Sequence, residues 1–197
     1  MKILAFTDTH EQMEDMETIR RKAKDVDLLM CAGDFTMFGS GMKSVLEFFD
    51  SINKPMILTH GNHEDRRRTK RMCEQTKNIK FFHNEIVEIE NLSILCHGGG
   101  GFTSRRYKFD QNIPKFVKQL KDKKRVIFMT HAPPYGIVLD EIYHGNHVGT
   151  KSYREFIEQA QPTVAICGHI HNAFKKKDKI GKTLCLNPGP KGIIINI

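Results

Sequence analysis

Eight side chains in this sequence sit where metal-assisted chemistry could use them. Asp8 with His10, Asp34, Asn62 with His63, His131, and His169 with His171 each follow a short apolar run rich in β-forming residues. In open α/β sheets, ligands bind beyond the carboxyl ends of the strands, so residues distant in sequence can converge there. Carboxylates and imidazoles together suit borderline divalent ions such as Mn, Fe, Zn, Co or Ni. Seven of the eight are candidate ligands: Asp8, His10, Asp34, Asn62, His131, His169 and His171. That is too many for one tetrahedral site, but it fits two ions sharing a bridging carboxylate. Paired ions of this kind sit about 3.5–4 Å apart and clamp both oxygens of an in-line phosphoryl displacement. If the backbone stays extended past the strands, the period-two pairs Asp8/His10 and His169/His171 each send two side chains the same way.

The elements that must position these residues alternate in type. Residues 2–6, 28–32 and 56–59 read as strands, with helix-like stretches at 13–24 and 42–49 between them. This β-α-β-α-β order implies a parallel sheet with right-handed crossovers. A charged helix follows, opened by Glu64 and Asp65 and running to about Thr76; Glu64 is expected to serve that helix's N-terminus. The second half is richer in strands. Residues 86–89 and 92–96 form one expected hairpin, and 174–178 with 183–186 another. Strands at 126–129, 164–167 and 193–197 and helices at 114–121 and 152–159 complete the pattern. No repeat or low-complexity segment interrupts it. One domain over residues 1–197, of α/β class with mixed sheets, is the expectation.

Composition narrows the function classes. Hydrophobic residues make up 39% and charged residues 27% of the 197, a normal globular balance. No run of eighteen apolar residues exists, so no membrane-spanning helix is expected. The apolar start at residues 1–6 is too short for a secretory signal. The five cysteines form no C-x-x-C pair and read as buried thiols in a reducing, cytoplasmic compartment. The formal charge of +8 favours anionic partners, phosphorylated molecules or nucleic acid among them.

The motifs Asp8-Thr9-His10, Gly33-Asp34, Gly61-Asn62-His63-Glu64, Thr130-His131 and Gly168-His169-Ile170-His171 occur in an order that resembles the calcineurin-like metallophosphoesterase superfamily. Gly33-Asp34-Phe35-Thr36 together with His131-Ala132-Pro133-Pro134 resembles its small bacterial and archaeal branch. The resemblance implies an α/β/β/α sandwich of two mixed β-sheets flanked by helices, with a dimetal site at one edge. It also implies roles. Asp8, His10 and His171 would bind one ion, Asn62, His131 and His169 the other, and Asp34 would bridge them. His63 would contact the phosphate and protonate the leaving group, and a metal-bridging hydroxide would attack phosphorus. Manganese is the ion expected to support activity best in assays.

The implied function is hydrolysis of phosphodiesters or phosphomonoesters. The expected substrate is a small phosphorylated molecule, including nucleotides and cyclic nucleotides. Two other readings compete with it: a metal-dependent nuclease acting on DNA or RNA, and a non-catalytic protein-binding scaffold of the same fold. Two positions depart from the family pattern, and both bear on substrate preference: Glu11 stands where glycine is common, and Met37 where a second acid is common. The Gly98–Gly101 run lacks the Lys and Ser/Thr of a P-loop and reads as a flexible loop, from which Arg105 and Arg106 could reach a substrate anion. His60 and His97 also follow strands, and Tyr135 and His147 could line a pocket. Phe48-Phe49 and Phe81-Phe82 read as core rather than as stacking platforms.

Overall fold

The computed structural model describes residues 1–197. In chain order the elements are β1 (Lys2–Phe6), α1 (Met13–Lys22), β2 (Leu28–Cys31), α2 (Met42–Asp50), β3 (Met56–Leu58), α3 (Arg66–Cys73), β4 (Ile79–Phe81), β5 (Glu85–Ile89), β6 (Leu92–His97), α4 (Tyr107–Asp110), α5 (Ile113–Leu120), β7 (Val126–Thr130), β8 (Glu141–Tyr143), β9 (Asn146–His147), α6 (Lys151–Ala160), β10 (Val164–Ile166), β11 (Lys177–Ile180), β12 (Thr183–Leu186) and β13 (Ile193–Asn196). They form a five-stranded sheet ordered β13-β1-β2-β3-β4 and a six-stranded sheet ordered β11-β12-β10-β7-β6-β5. Both are mixed. The first is parallel except for β13, and the second keeps β6, β7, β10 and β12 parallel between two antiparallel edges.

The alternation of strand side chains explains the layering. Ile3, Ala5, Leu28, Met30 and Ile57 face Ile94, Cys96, Ile127, Met129 and Ile166 in a core between the two sheets. The residues in between, Leu4, Phe6, Leu29 and Cys31, turn outward onto Met16, Ile19, Val45 and Phe49 of α1 and α2. On the far side, Leu95, Phe128, Ala165 and Cys185 pack on Phe116, Tyr153 and Phe156 of α5 and α6. Each fully buried large side chain contributes roughly 1.5–3 kcal/mol. The order of layers is therefore helix, sheet, sheet, helix, as the sequence resemblance implied.

Several local expectations need correction. The last hairpin turns at Gly181-Lys182, so its first strand is residues 177–180 rather than 174–178. Residues 171–173 form a 3-10 turn that delays the strand. The charged helix starts at Arg66, because the Asp65 carboxylate caps it by accepting the N–H of Arg68 at 2.8 Å. Strand β4, the one-turn helix α4 and the β8-β9 ribbon carry too few residues to show a period in sequence. All five cysteines are buried free thiols. No helix is long and apolar enough to cross a membrane.

Candidate dimetal site

The carboxyl ends of β1, β2, β3, β7 and β10 gather at one edge where the two sheets meet. All eight residues singled out in the sequence come together there. They do not arrive by extended backbone, as the period-two argument supposed. Asp8, His10, Asp34 and His169 have φ of 54°, 42°, 49° and 70°, so the chain turns sharply through left-handed conformations after β1, β2 and β10. Non-glycine residues seldom adopt this region, and clusters of them mark ligand-holding sites. Two glycines make room for the turns. A Cβ on Gly61 would lie 2.0 Å from Asp34 Oδ1, and one on Gly168 would lie 2.1 Å from Thr7 Oγ1.

Three sets of donor atoms have all members within 4.8 Å of one another: Asp8, His10 and His171; His10, Asp34 and His63; and Asp34, His131 and His169. His10 and Asp34 each belong to two sets, so the three form one continuous site. His171 Nε2 and His10 Nε2 lie 3.8 and 4.0 Å from Asp8 Oδ1. His131 Nε2 lies 3.1 Å from Asp34 Oδ2 and 3.0 Å from Asn62 Oδ1. His63 Nε2 lies 3.8 Å from Asp34 Oδ2.

The hydrogen bonds show which lone pairs face inward. His131 Nδ1 meets the Ala32 carbonyl at 2.9 Å, and His10 Nδ1 meets the Thr36 carbonyl at 3.2 Å. A carbonyl only accepts, so each neutral ring carries its proton on Nδ1 and turns a bare Nε2 lone pair to the centre. His131 Nε2, Asp34 Oδ2 and Asn62 Oδ1 are then three acceptors aimed at one point. His169 Nε2 is buried beside them without any hydrogen-bond partner. Such a convergence requires a cation, whether a proton or a metal. The donor set of carboxylate, imidazole and amide oxygen suits divalent metal ions.

Electrostatics agree with this reading. Burial opposes charge on His131, but the neighbouring Asp34, with Asp8 and Glu64 behind it, overrides it and lifts the ring to about 9. Burial also opposes charge on Asp34, yet His131 and the N–H of His63 bring it down to about 2. Asp8 is pushed up by burial and by repulsion from Asp34, only partly offset by His131. Two buried carboxylates and a lone proton make an under-compensated site. The carboxylates are also held in place: His169 N–H donates to Asp8 Oδ2 at 3.0 Å, and His63 N–H donates to Asp34 Oδ1 at 2.9 Å.

Glu64 is a residue whose role the sequence did not reveal. Rather than serving the α3 N-terminus, it is buried, and its carboxylate accepts the N–H groups of Asp34 (3.0 Å), Thr36 (2.9 Å) and Gly61 (2.8 Å) and the Thr36 hydroxyl (2.8 Å). It ties the loop bearing Asp34 to the loop bearing Asn62 and His63. Its position one residue after His63 was the only available signal. Glu11 and Met37, the two departures from the family pattern, touch each other: Met37 N–H donates to Glu11 Oε1 at 3.1 Å.

Other candidates lie outside the site. His60 and His97 each pack against His83 with tilted rings, and His97 Nδ1 meets the Tyr153 hydroxyl at 2.7 Å. His147 pairs with the buried Asp140 at 2.8 Å. Arg105 is spent on Glu155 and Asp110. Arg106 donates to the Gly98 carbonyl at 3.4 Å. The Gly98–Gly101 loop is packed down: Cβ atoms on Gly98 and Gly100 would lie 2.2 Å from Thr59 Oγ1 and 2.8 Å from the Ala132 Cβ.

The chain belongs to the calcineurin-like phosphoesterase family, whose model matches residues 1–173. An uncharacterized protein of Methanocaldococcus jannaschii, MJ1162, is 28% identical over 204 residues, covering 99% of this chain and 91% of its own. Among solved structures, TT1561 of Thermus thermophilus superposes with a TM-score of 0.74 at 16% identity, covering 95% of this chain and 88% of its own. A dimetal phosphatase from Danio rerio superposes with a TM-score of 0.62 at 9% identity, covering 94% and 86%. These two structures share the fold with this chain.

Proposed function

We propose that this protein is a dimetal-dependent phosphoesterase that hydrolyses phosphodiesters or phosphomonoesters, with residues 1–197 acting as one catalytic unit. The observation that carries this reading is the convergence of His131 Nε2, Asp34 Oδ2 and Asn62 Oδ1 on one point, beside the unpartnered His169 Nε2. The set of Asp8, His10 and His171 stands next to it, joined through His10 and Asp34. Asp8, His10 and His171 would hold one ion, Asn62, His131 and His169 the other, with Asp34 between them. Divalent ions held there would neutralise phosphoryl charge and lower the pKa of water to about 7. Asn62 and Asp34 orient the site through their contacts with His131 and His63. His63 Nδ1 accepts the N–H of Phe38 at 3.2 Å, so the neutral ring carries its proton on Nε2, the nitrogen facing Asp34. From there it can donate to a phosphoryl or leaving-group oxygen.

The family and the dimetal phosphatase with this fold support the same chemistry. Manganese is the ion with which activity is expected to be highest, and Fe, Zn, Ni and Co suit the same ligands. Buried free thiols support a reducing, cytoplasmic setting. The presence of every motif ligand disfavours the scaffold reading. One observation favours a nucleic-acid substrate as a second reading. Arg66, Arg67 and Lys70 line one cleft and Arg106 and Lys108 another, and the two clefts share His83.

Metal analysis of the purified chain, followed by a panel of mono- and diesters with Mn, Ni, Co and Zn, tests the proposal. About two ions per chain and hydrolysis of a simple aryl phosphodiester are expected. Bound metal without hydrolysis of any ester would return the scaffold reading. Hydrolysis of oligonucleotides alone, with affinity falling steeply as salt rises, would favour the nuclease.

A further inference from the structure

The chain has thirteen phenylalanines, and only Phe38 and Phe102 are exposed, at 78% and 68%. Both rings lie against histidines of the candidate site. Phe38 stacks on His63 with centroids 4.2 Å apart and planes 29° apart. Phe102 leans on His169 at 4.8 Å and 60°. They come from separate loops, one after β2 and one after β6, and Phe38 reaches His63, the candidate proton donor, while Phe102 reaches His169, a candidate ligand. A large ring left in water forgoes burial energy that the other eleven phenylalanines recover wholly or in part.

Both loops are built to hold these rings. Phe38 has φ of 52°, a left-handed conformation that a bulky residue adopts only when its surroundings enforce it. The enforcement is visible. Phe38 N–H donates to His63 Nδ1 at 3.2 Å, Met37 N–H to Glu11 Oε1 at 3.1 Å and Gly39 N–H to Thr36 Oγ1 at 3.1 Å. Glu11 and Met37, where this chain departs from the common family pattern, thus brace the turn that presents Phe38. On the other loop, Thr103 N–H donates to the Gly101 carbonyl at 2.9 Å, and the Thr103 carbonyl accepts the Thr150 hydroxyl at 3.0 Å.

We infer that Phe38 and Phe102 form an aromatic subsite for a planar ring in the organic part of the substrate, a nucleobase being the chemistry that fits. The inference rests on the phosphoester reading of the adjacent histidines and carboxylates. One face of Phe38 is taken by His63, and the residue remains largely exposed. Phe38 lies against the ring that would meet the phosphate, and Phe102 against a candidate ligand of the same site. Neither ring supplies a hydrogen-bond donor or acceptor, so the subsite selects for planarity and tolerates different bases. A sugar phosphate or alkyl ester would leave both rings in water.

The test uses the manganese-loaded full chain and two non-hydrolysable probes, the phosphonate analogues of AMP and of ribose 5-phosphate. The AMP analogue is expected to bind roughly tenfold or more tightly than the ribose analogue, the size of one base–aromatic stack. In Phe38→Ala and in Phe102→Ala that ratio should fall severalfold, and Phe102→Trp should restore it. Equal binding of the two analogues to the unaltered chain, or a ratio that neither alanine variant changes, overturns the aromatic subsite and leaves the hydrolase reading standing. Binding of neither analogue removes the phosphate site itself, and the subsite falls with it.

Discussion

Two groups of histidines cap strands in this protein, and their neighbours differ in sign. His10, His63, His131, His169 and His171 surround Asp8 and Asp34. His60 and His97 each pack a tilted ring against His83, at 4.9 and 4.7 Å, with Arg66 and Arg106 as the charged groups nearby. In the first group, Asp34 lifts buried His131 to about 9. In the second, burial, added to by neighbouring positive charge, drops His60 to about 3 and His83 to about 4. Burial acts alike on both groups. Burial lowers His169 to about 4 even beside Asp34, so the groups differ in that only the first holds carboxylates among its imidazoles, and His131 is the ring they lift. In the second group the Tyr153 hydroxyl meets His97 and the Gly98 N–H donates to His83, while His60 Nδ1 is buried without a partner.

The sharpest way to break this contrast is to remove the shared carboxylate. Asp34→Ala should lower both metal content and turnover on an aryl phosphodiester by more than the roughly 10–100-fold typical of a residue that only orients ligands. Full metal occupancy in that variant would erase the distinction between the groups. His63→Ala should cut turnover by about 10²–10⁴-fold while metal per chain stays constant, with a larger loss on alkyl than on nitrophenyl leaving groups. An equal loss on both would argue against proton donation.

Glu64→Gln should weaken metal binding by roughly 10–100-fold, because it loosens the loops that carry Asp34 and Asn62. Calorimetric titration of the metal-free chain would measure it, and unchanged affinity would reduce Glu64 to packing.

The raised His131 gives a prediction in pH. Metal must displace its proton, so affinity should rise up to about tenfold per pH unit from neutrality to about 9. The stability of the metal-free chain should move the opposite way. A pKa raised above the unfolded value contributes fully below about 6.5 and is lost as pH climbs to about 9. The melting temperature of the metal-free protein should therefore fall over that window, while the gain from added metal grows. The smallest effect is reserved for the second group. His97→Phe should leave metal content unchanged and cost about 1–3 kcal/mol of stability by stranding the Tyr153 hydroxyl, read by denaturant unfolding. Loss of metal in that variant would join the two groups into one site.

The sequence by itself determined much of this protein. Strand-terminal Asp, Asn and His motifs in family order identified the family, the layered fold and the side chains that meet at the sheet edge, because apolar runs and polar punctuation are local features of a chain. His60 and His97 followed strands equally well, and nothing local told them apart from His131. That was settled by which loops face each other across the two sheets. The left-handed turns at Asp8, His10, Asp34 and His169, the buried Glu64 joining two loops and the exposed rings of Phe38 and Phe102 likewise come from tertiary contacts. Charge complementarity, backbone strain and exposure are properties of neighbours in space, and a sequence lists only neighbours along the chain.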